Sequence, residues 1–90
     1  MSTTPVDPNA EDVLSETEYR DRLRELPPSA KLVAKVLEIE EPLSQSQLAE
    51  ESLLPDRTVR YALNRLEEEN LIISRYSFHD ARKQVYSLAE

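Results

Sequence analysis

The sequence predicts a mainly α-helical domain closed by a small β-hairpin. Two observations carry that expectation. Up to Leu71, apolar residues recur three and four apart, in runs broken at Pro27-Pro28, Pro42 and Pro55. From Leu71 to Leu88 the pattern becomes β-branched and aromatic with partial alternation, interrupted by the polar stretch His79-Asp80-Ala81-Arg82.

The elements follow in chain order. Residues 1–10 are polar and hold two prolines, the composition of a disordered tail. The folded domain is expected over residues 11–90. Ser15–Leu26 reads as a helix, with Val13 and Leu14 as a possible backward extension to a span of 13–26. Tyr19, Leu23 and Leu26 make one apolar line along it. Glu16-Arg20 and Glu18-Arg22 are opposite charges four apart and support the helix; Asp21-Glu25 is a like pair and opposes it. Pro27-Pro28 ends it. Ser29–Glu40 is the next helix, polar only along Lys31, Lys35 and Glu38, so it must be covered on two sides. After Pro42, Leu43 is expected to form a very short strand against the hairpin. Ser44 and Gln47 have the spacing of a capping box for a third helix, whose buried face includes Leu48 and Ala49.

The fourth helix, 56–69, repeats apolar residues at Val59, Leu63 and Leu66, which keeps one face apolar. Asp56 is its expected N-cap, and Pro55 holds Leu54 extended. Leu53-Leu54-Pro55 therefore separates two helices. Two helices joined by so tight a turn form a helix-turn-helix, and a hairpin directly after one makes a winged helix-turn-helix, here with an extra N-terminal helix. The chain has no glycine. Leu53 and the hairpin tip must turn without it, and His79 or Asp80 is the best candidate for a left-handed backbone.

The polar face of the fourth helix carries Arg57, Thr58, Arg60, Tyr61, Asn64 and Arg65, donors suited to an anionic surface. A merely solvated helix face is the bland alternative. Arg82, with Lys83 beside it, could be just a salt-bridge partner of Asp80; the family resemblance described next implies instead a contact to the minor groove or its phosphates. His79 is expected as an exposed loop residue. Tyr76, Phe78 and Tyr86 are expected to pack rather than to stack on bases.

The segment QLAEESLLPDRTVRYALNRLEEENLI resembles the two central helices of MarR-type winged-helix regulators, closest to short archaeal, especially haloarchaeal, versions. DARKQVYSL is similar to that family's wing, where an Asp-x-Arg pair precedes the last strand. The likeness spans Pro28–Leu88. It implies a sequence-specific regulator of double-stranded DNA, with helix 56–69 in the major groove and wing 78–83 on the minor groove or backbone. Two departures stand out. The family commonly has Gly at the position of Leu53, and its full-length members dimerise through long terminal helices. With the sequence ending at Glu90, a homodimer would be expected to use Tyr19, Leu23 and Leu26 of the N-terminal helix.

Composition bounds the alternatives. Ninety residues allow one small domain. There is no cysteine and a single histidine, so no zinc site is expected. No apolar run approaches the roughly 20 residues that span a bilayer, and the N-terminus lacks the features of a signal peptide. A cytoplasmic protein without membrane contact is the expectation. The net charge of −7 is uneven: residues 1–55 hold 12 acids and 5 bases, whereas residues 56–90 hold 6 of each. The excess acid thus precedes the fourth helix, and the field is polarised. With only three lysines among eleven basic residues, the composition resembles proteins of salt-accumulating archaea. Glu67-Glu68-Glu69 reads as a solvated run. The absence of a phosphate loop, triad or metal spacing argues against an enzyme, and no cofactor or small-molecule ligand is expected. A winged-helix module that binds protein instead of DNA is the competing function, since the fold supports both.

Overall fold

Two prolines in succession open the central helix of the fold. The computed structural model describes residues 15–89, so the expected tail and the extension through Val13 and Leu14 lie outside the described residues. Helix α1 spans Glu16–Arg24. Ser15 caps it: its hydroxyl accepts from the Glu18 amide at 3.1 Å, and the Glu18 carboxylate accepts from the Ser15 amide at 3.2 Å. Glu16 and Arg20 pair at 3.4 Å as expected. The Glu18-Arg22 pair does not form, because both side chains have other partners. Glu18 closes the cap, and Arg22 donates to the Glu69 carbonyl at 2.9 Å. The helix stops short of Leu26, with Glu25 as its C-cap.

Helix α2 spans Pro28–Ile39, with Pro28 at the first turn, where its missing N–H costs nothing. Ala30, Val33, Ala34 and Leu37 are fully buried and form the centre of the core. Strand β1 is Leu43–Ser44, helix α3 is Gln45–Ser52, helix α4 is Asp56–Glu68, and strands β2 and β3 are Ile72–Tyr76 and Gln84–Leu88. The sheet order is β1-β3-β2, all antiparallel, with Leu43 opposite Tyr86 and Ile72 opposite Leu88. Leu43 therefore joins the hairpin as the sequence suggests. Leu48, Val59, Ala62, Leu63, Leu66, Leu71 and Ile72 complete a core shared by every element. Among the described residues no helix is long and apolar enough to cross a membrane.

Tyr19, Leu23 and Leu26, the residues expected at a dimer contact, turn onto the chain's own core, leaving Leu23 6% and Leu26 4% exposed. The wide apolar arc of α2 has room for α1 on one flank, which takes these side chains out of solvent. The Tyr19 hydroxyl donates to the Glu38 carboxylate at 2.7 Å, across α1 and α2. The N-cap of α4 is Pro55, not Asp56. Pro55 already has the extended backbone of a cap (φ −61°, ψ 152°), so Asp56 enters the first turn, where its carboxylate favours the positive end of the helix. Neither His79 nor Asp80 is left-handed; among the described residues the positive φ values belong to Leu53 and Asn70.

Asn70 makes the Schellman exit from α4. Its amide bonds the Glu67 carbonyl, and the Leu71 amide reaches back to the Leu66 carbonyl at 3.0 Å, with Leu66 and Leu71 both buried beneath. Leu53 ends α3 at φ 63°, ψ 23° with its side chain 88% exposed.

Candidate nucleic-acid interface

The turn between α3 and α4 sets the orientation of α4. Ser44 and Gln47 form the expected capping box, with bonds of 3.2 and 2.8 Å. Gln45 then donates to the Asp56 carbonyl at 3.3 Å, tying the start of α3 to the start of α4. Val59, Ala62, Leu63 and Leu66 anchor one side of α4 in the core. That rotation leaves Arg57, Arg60, Tyr61 and Asn64 exposed, with Thr58 and Arg65 half-buried at the edges.

These residues are not equivalent. Arg65 is committed locally: it donates to the Tyr61 hydroxyl at 3.0 Å, sits over the Tyr61 ring at 5.9 Å and lies 3.6 Å from Glu68. Among the described residues Arg57, Arg60 and Lys83 form no ion pair and are available to an anion. Arg82 takes the Asp80 partner that the sequence offers. Its Nε lies 3.4 Å from Asp80, yet its side chain is 93% exposed. So open an ion pair is weakly held and easily exchanged for another anion.

The wing is closed by side-chain bonds in place of a glycine. Asp80 accepts from the Arg82 amide at 3.0 Å, and Ser77 accepts from the His79 amide at 3.1 Å. The Ser77 amide donates to the Lys83 carbonyl at 2.7 Å and extends the hairpin beyond β2. This geometry brings Arg82 and Lys83 opposite Arg60 across an open groove of about 370 Å³ between the wing and the starts of α3 and α4. Gln45, Ser46 and Gln84 also line it, none of them singled out from the sequence, together with Tyr86, which the sequence marks as a packing residue. A signal was present for Gln84: it lies two residues from Tyr86 and so shares its face of β3. Burial raises the Tyr86 hydroxyl pKa above the usual phenol range; Glu67 adds to the effect and Arg60 opposes it. The phenol therefore stays protonated and remains a donor at the groove wall. Asp56 also lines the groove and is the one acid there.

The wing aromatics depart from the sequence reading. Tyr86 packs against the core as expected, but Tyr76 is exposed and Phe78 fully so.

A three-helix core, a turn that projects the last helix and a two-stranded ribbon beside it define a winged helix-turn-helix. Residues 35–73 match a family model described as winged helix-turn-helix DNA-binding. Among solved structures the chain is similar to a probable transcriptional regulator from Pseudomonas aeruginosa, with TM-score 0.71 and 22% identity over 81% of this chain and 56% of that one. It is similar to the MepR–DNA complex of S. aureus, with TM-score 0.68, 19% identity, and 82% and 63% of the two chains covered. A third likeness is to the MarR family transcription regulator SP03579, at TM-score 0.69 and 19% identity over 81% and 49%. The chain thus spans between about half and two-thirds of the length of these structures. No curated protein matches it.

Proposed function

We propose that this chain is a DNA-binding transcription regulator that inserts α4 in the major groove and sets wing residues 78–83 on the minor groove or its phosphates. The observation that carries this reading is the convergence of Arg60, Arg82 and Lys83 on one open groove at the starts of α3 and α4. Helix N-termini and exposed cations on a shared surface fit a phosphate backbone. Arg60 and Asn64 reach base edges, with Arg57, Thr58 and Tyr61 flanking them. Arg65 acts through Tyr61, and Arg82 and Lys83 hold phosphate. The solved relatives named as transcriptional regulators and the one bound to DNA support the same reading.

The regulator works as a homodimer, because one winged helix reads only a short half-site. Leu23 and Leu26 are already buried within the chain, so the contact expected along Tyr19, Leu23 and Leu26 is extended to the outer side of α2, where Leu32 and Ile39 are exposed one heptad apart. The acidic, lysine-poor composition suits a salt-rich archaeal cytoplasm. Phosphate contacts weaken as salt rises, so specificity there rests on the bases that α4 reads.

The test is a gel shift with genomic fragments at two or more salt concentrations. Selective retention of a few fragments, weakening with salt, is the expected result. Equal retention of all fragments, or of none, would favour the competing reading of a protein-binding module.

A further inference from the structure

Residues 1–55 carry 12 acids against five bases: Arg20, Arg22, Arg24, Lys31 and Lys35. Four of those five bases line one open groove of about 270 Å³ between α1 and α2. The fifth, Arg22, is bonded to the Glu69 carbonyl. Arg20 and Arg24 are four apart on α1, and Lys31 and Lys35 are four apart on α2, so each helix sets two like charges side by side. Leu23 completes the lining, and among the described residues no acid belongs to it. Such a cluster opposes folding unless an anion sits within it. The acids nearby answer it weakly. Glu16 pairs with Arg20 at 3.4 Å, Asp21 with Arg24 at 3.1 Å and Glu38 with Lys35 at 3.5 Å, all at the surface. Lys31 is half-buried and has no ion pair among the described residues. It stands one turn into α2, whose N-cap Pro27 makes no side-chain cap bond and whose first turn holds no acid. The positive end of that helix therefore adds to the field around Lys31.

We infer that this groove binds a multivalent anion of the phosphate class, with two or more charged groups held between the α1 arginines and the α2 lysines. Two pairs of cations on facing helices suit a ligand with several anionic groups better than a single charge. Guanidinium groups match phosphate oxygens in pairs, and ammonium groups add compact charge. An aromatic or apolar acid finds no surface here to bury, because Leu23 is only 6% exposed and no aromatic side chain lines the groove. The volume also falls below the roughly 300–1,000 Å³ of clefts that enclose drug-sized ligands, so charge supplies the affinity. The groove shares no residue with the one lined by Arg60, Arg82 and Lys83, and the inference stands apart from the DNA-binding reading. A bound anion clamps α1 onto α2. Through Arg22, which α1 also carries, it steadies the end of α4. A free polyphosphate and a nucleic-acid backbone offer the same chemistry, and the experiment separates them.

The experiment titrates the full chain with inorganic tripolyphosphate, pyrophosphate and orthophosphate by calorimetry, at an ionic strength held constant with sodium chloride. Wild type is compared with Arg24→Gln, Lys31→Gln and, as a control in the other groove, Lys83→Gln. Tripolyphosphate should bind wild type at least about tenfold more tightly than orthophosphate, since each added group meets another cation. Arg24→Gln and Lys31→Gln should each weaken it by about fivefold, the upper end for a charge pair near the surface. Lys83→Gln should leave it unchanged. Glutamine keeps most of each side-chain stem, and thermal melts check that the variants fold. Equal affinity for all three phosphates, equal binding by wild type and Lys31→Gln, or a loss confined to Lys83→Gln would each overturn the inference. Anisotropy titrations of a DNA duplex at three salt concentrations then identify the source. A lower duplex affinity and a shallower salt slope for Lys31→Gln assign the groove to a nucleic-acid backbone, and unchanged duplex binding assigns it to a free polyphosphate. Failure of wild type to bind any duplex overturns the DNA reading and not this site, because the phosphate titrations contain no DNA.

Discussion

Replacing Leu53 with glycine should stabilise this protein. Leu53 closes α3 in the left-handed region at φ 63°, ψ 23°, where its Cβ crowds the following carbonyl. That conformation costs about 1–2 kcal/mol for a residue with a Cβ. Glycine removes the cost but gives back about 0.5–1 kcal/mol through the greater freedom of the unfolded chain. The side chain contributes almost no burial to offset this, because it is 88% exposed. The net gain is about 0.5–1 kcal/mol, or a rise in Tm of about 2–8 °C for a domain of this size. Thermal and urea melts of wild type, Leu53→Gly and Leu53→Ala measure it. Alanine keeps the Cβ and should melt within about 0.5 kcal/mol of wild type. The reasoning fails if Leu53→Gly melts at or below wild type, or if alanine gains as much as glycine, since the effect would then lie in the side chain and not in the backbone.

Arg22→Ala should cost about 1 kcal/mol, by removing the charged donor on the last carbonyl of α4, and a urea melt with unchanged m-value would register it. The Tyr19 pKa is raised by burial first and by its bond to Glu38 second, so the protonated phenol favours the folded state. Its contribution is complete below the ordinary phenol value of about 10 and is lost as pH rises above it. Tyr19→Phe should therefore flatten the alkaline fall in stability, and an equal fall in both proteins would remove this cause. Arg60→Ala or Asn64→Ala should relax base preference in a binding-site selection by about 1–3 kcal/mol of discrimination each. Arg82→Ala should weaken binding to all sequences alike and lower the salt slope by about one; an unchanged slope would take Arg82 off the phosphates.

Much of the architecture was legible because it is written in short-range chemistry. Ser44 and Gln47 are three apart, and the box they predict is the box that forms. Leu43 falls in the hairpin because only an extended residue fits between Pro42 and that cap. The apolar side of α4 follows from Val59, Leu63 and Leu66, and its exposed side is what remains. Long-range competition was less legible. Glu18 and Arg22 are spaced to pair, but the Ser15 amide and a carbonyl 47 residues away take them instead. The apolar line of α1 looked free until the breadth of α2 was seen to accommodate it. Asn70 carries a local signal for its left-handed backbone: an asparagine just past a helix end, between Leu66 and Leu71. The exposure of Phe78 could not be read from alternation, because the tip leaves the pleat after Tyr76 and parity there no longer assigns a side.

The bond from Arg22 to the Glu69 carbonyl also bears on how the molecule opens. Helix α4 is fastened at its start by Gln45 and at its end by Arg22, from two different elements. Detachment of α1 releases the Glu69 carbonyl, which water must then satisfy. The two helices are therefore expected to open together, although 31 residues separate Arg24 from Asp56. Amide exchange at the end of α4 should follow the opening of α1 and not that of the adjoining wing.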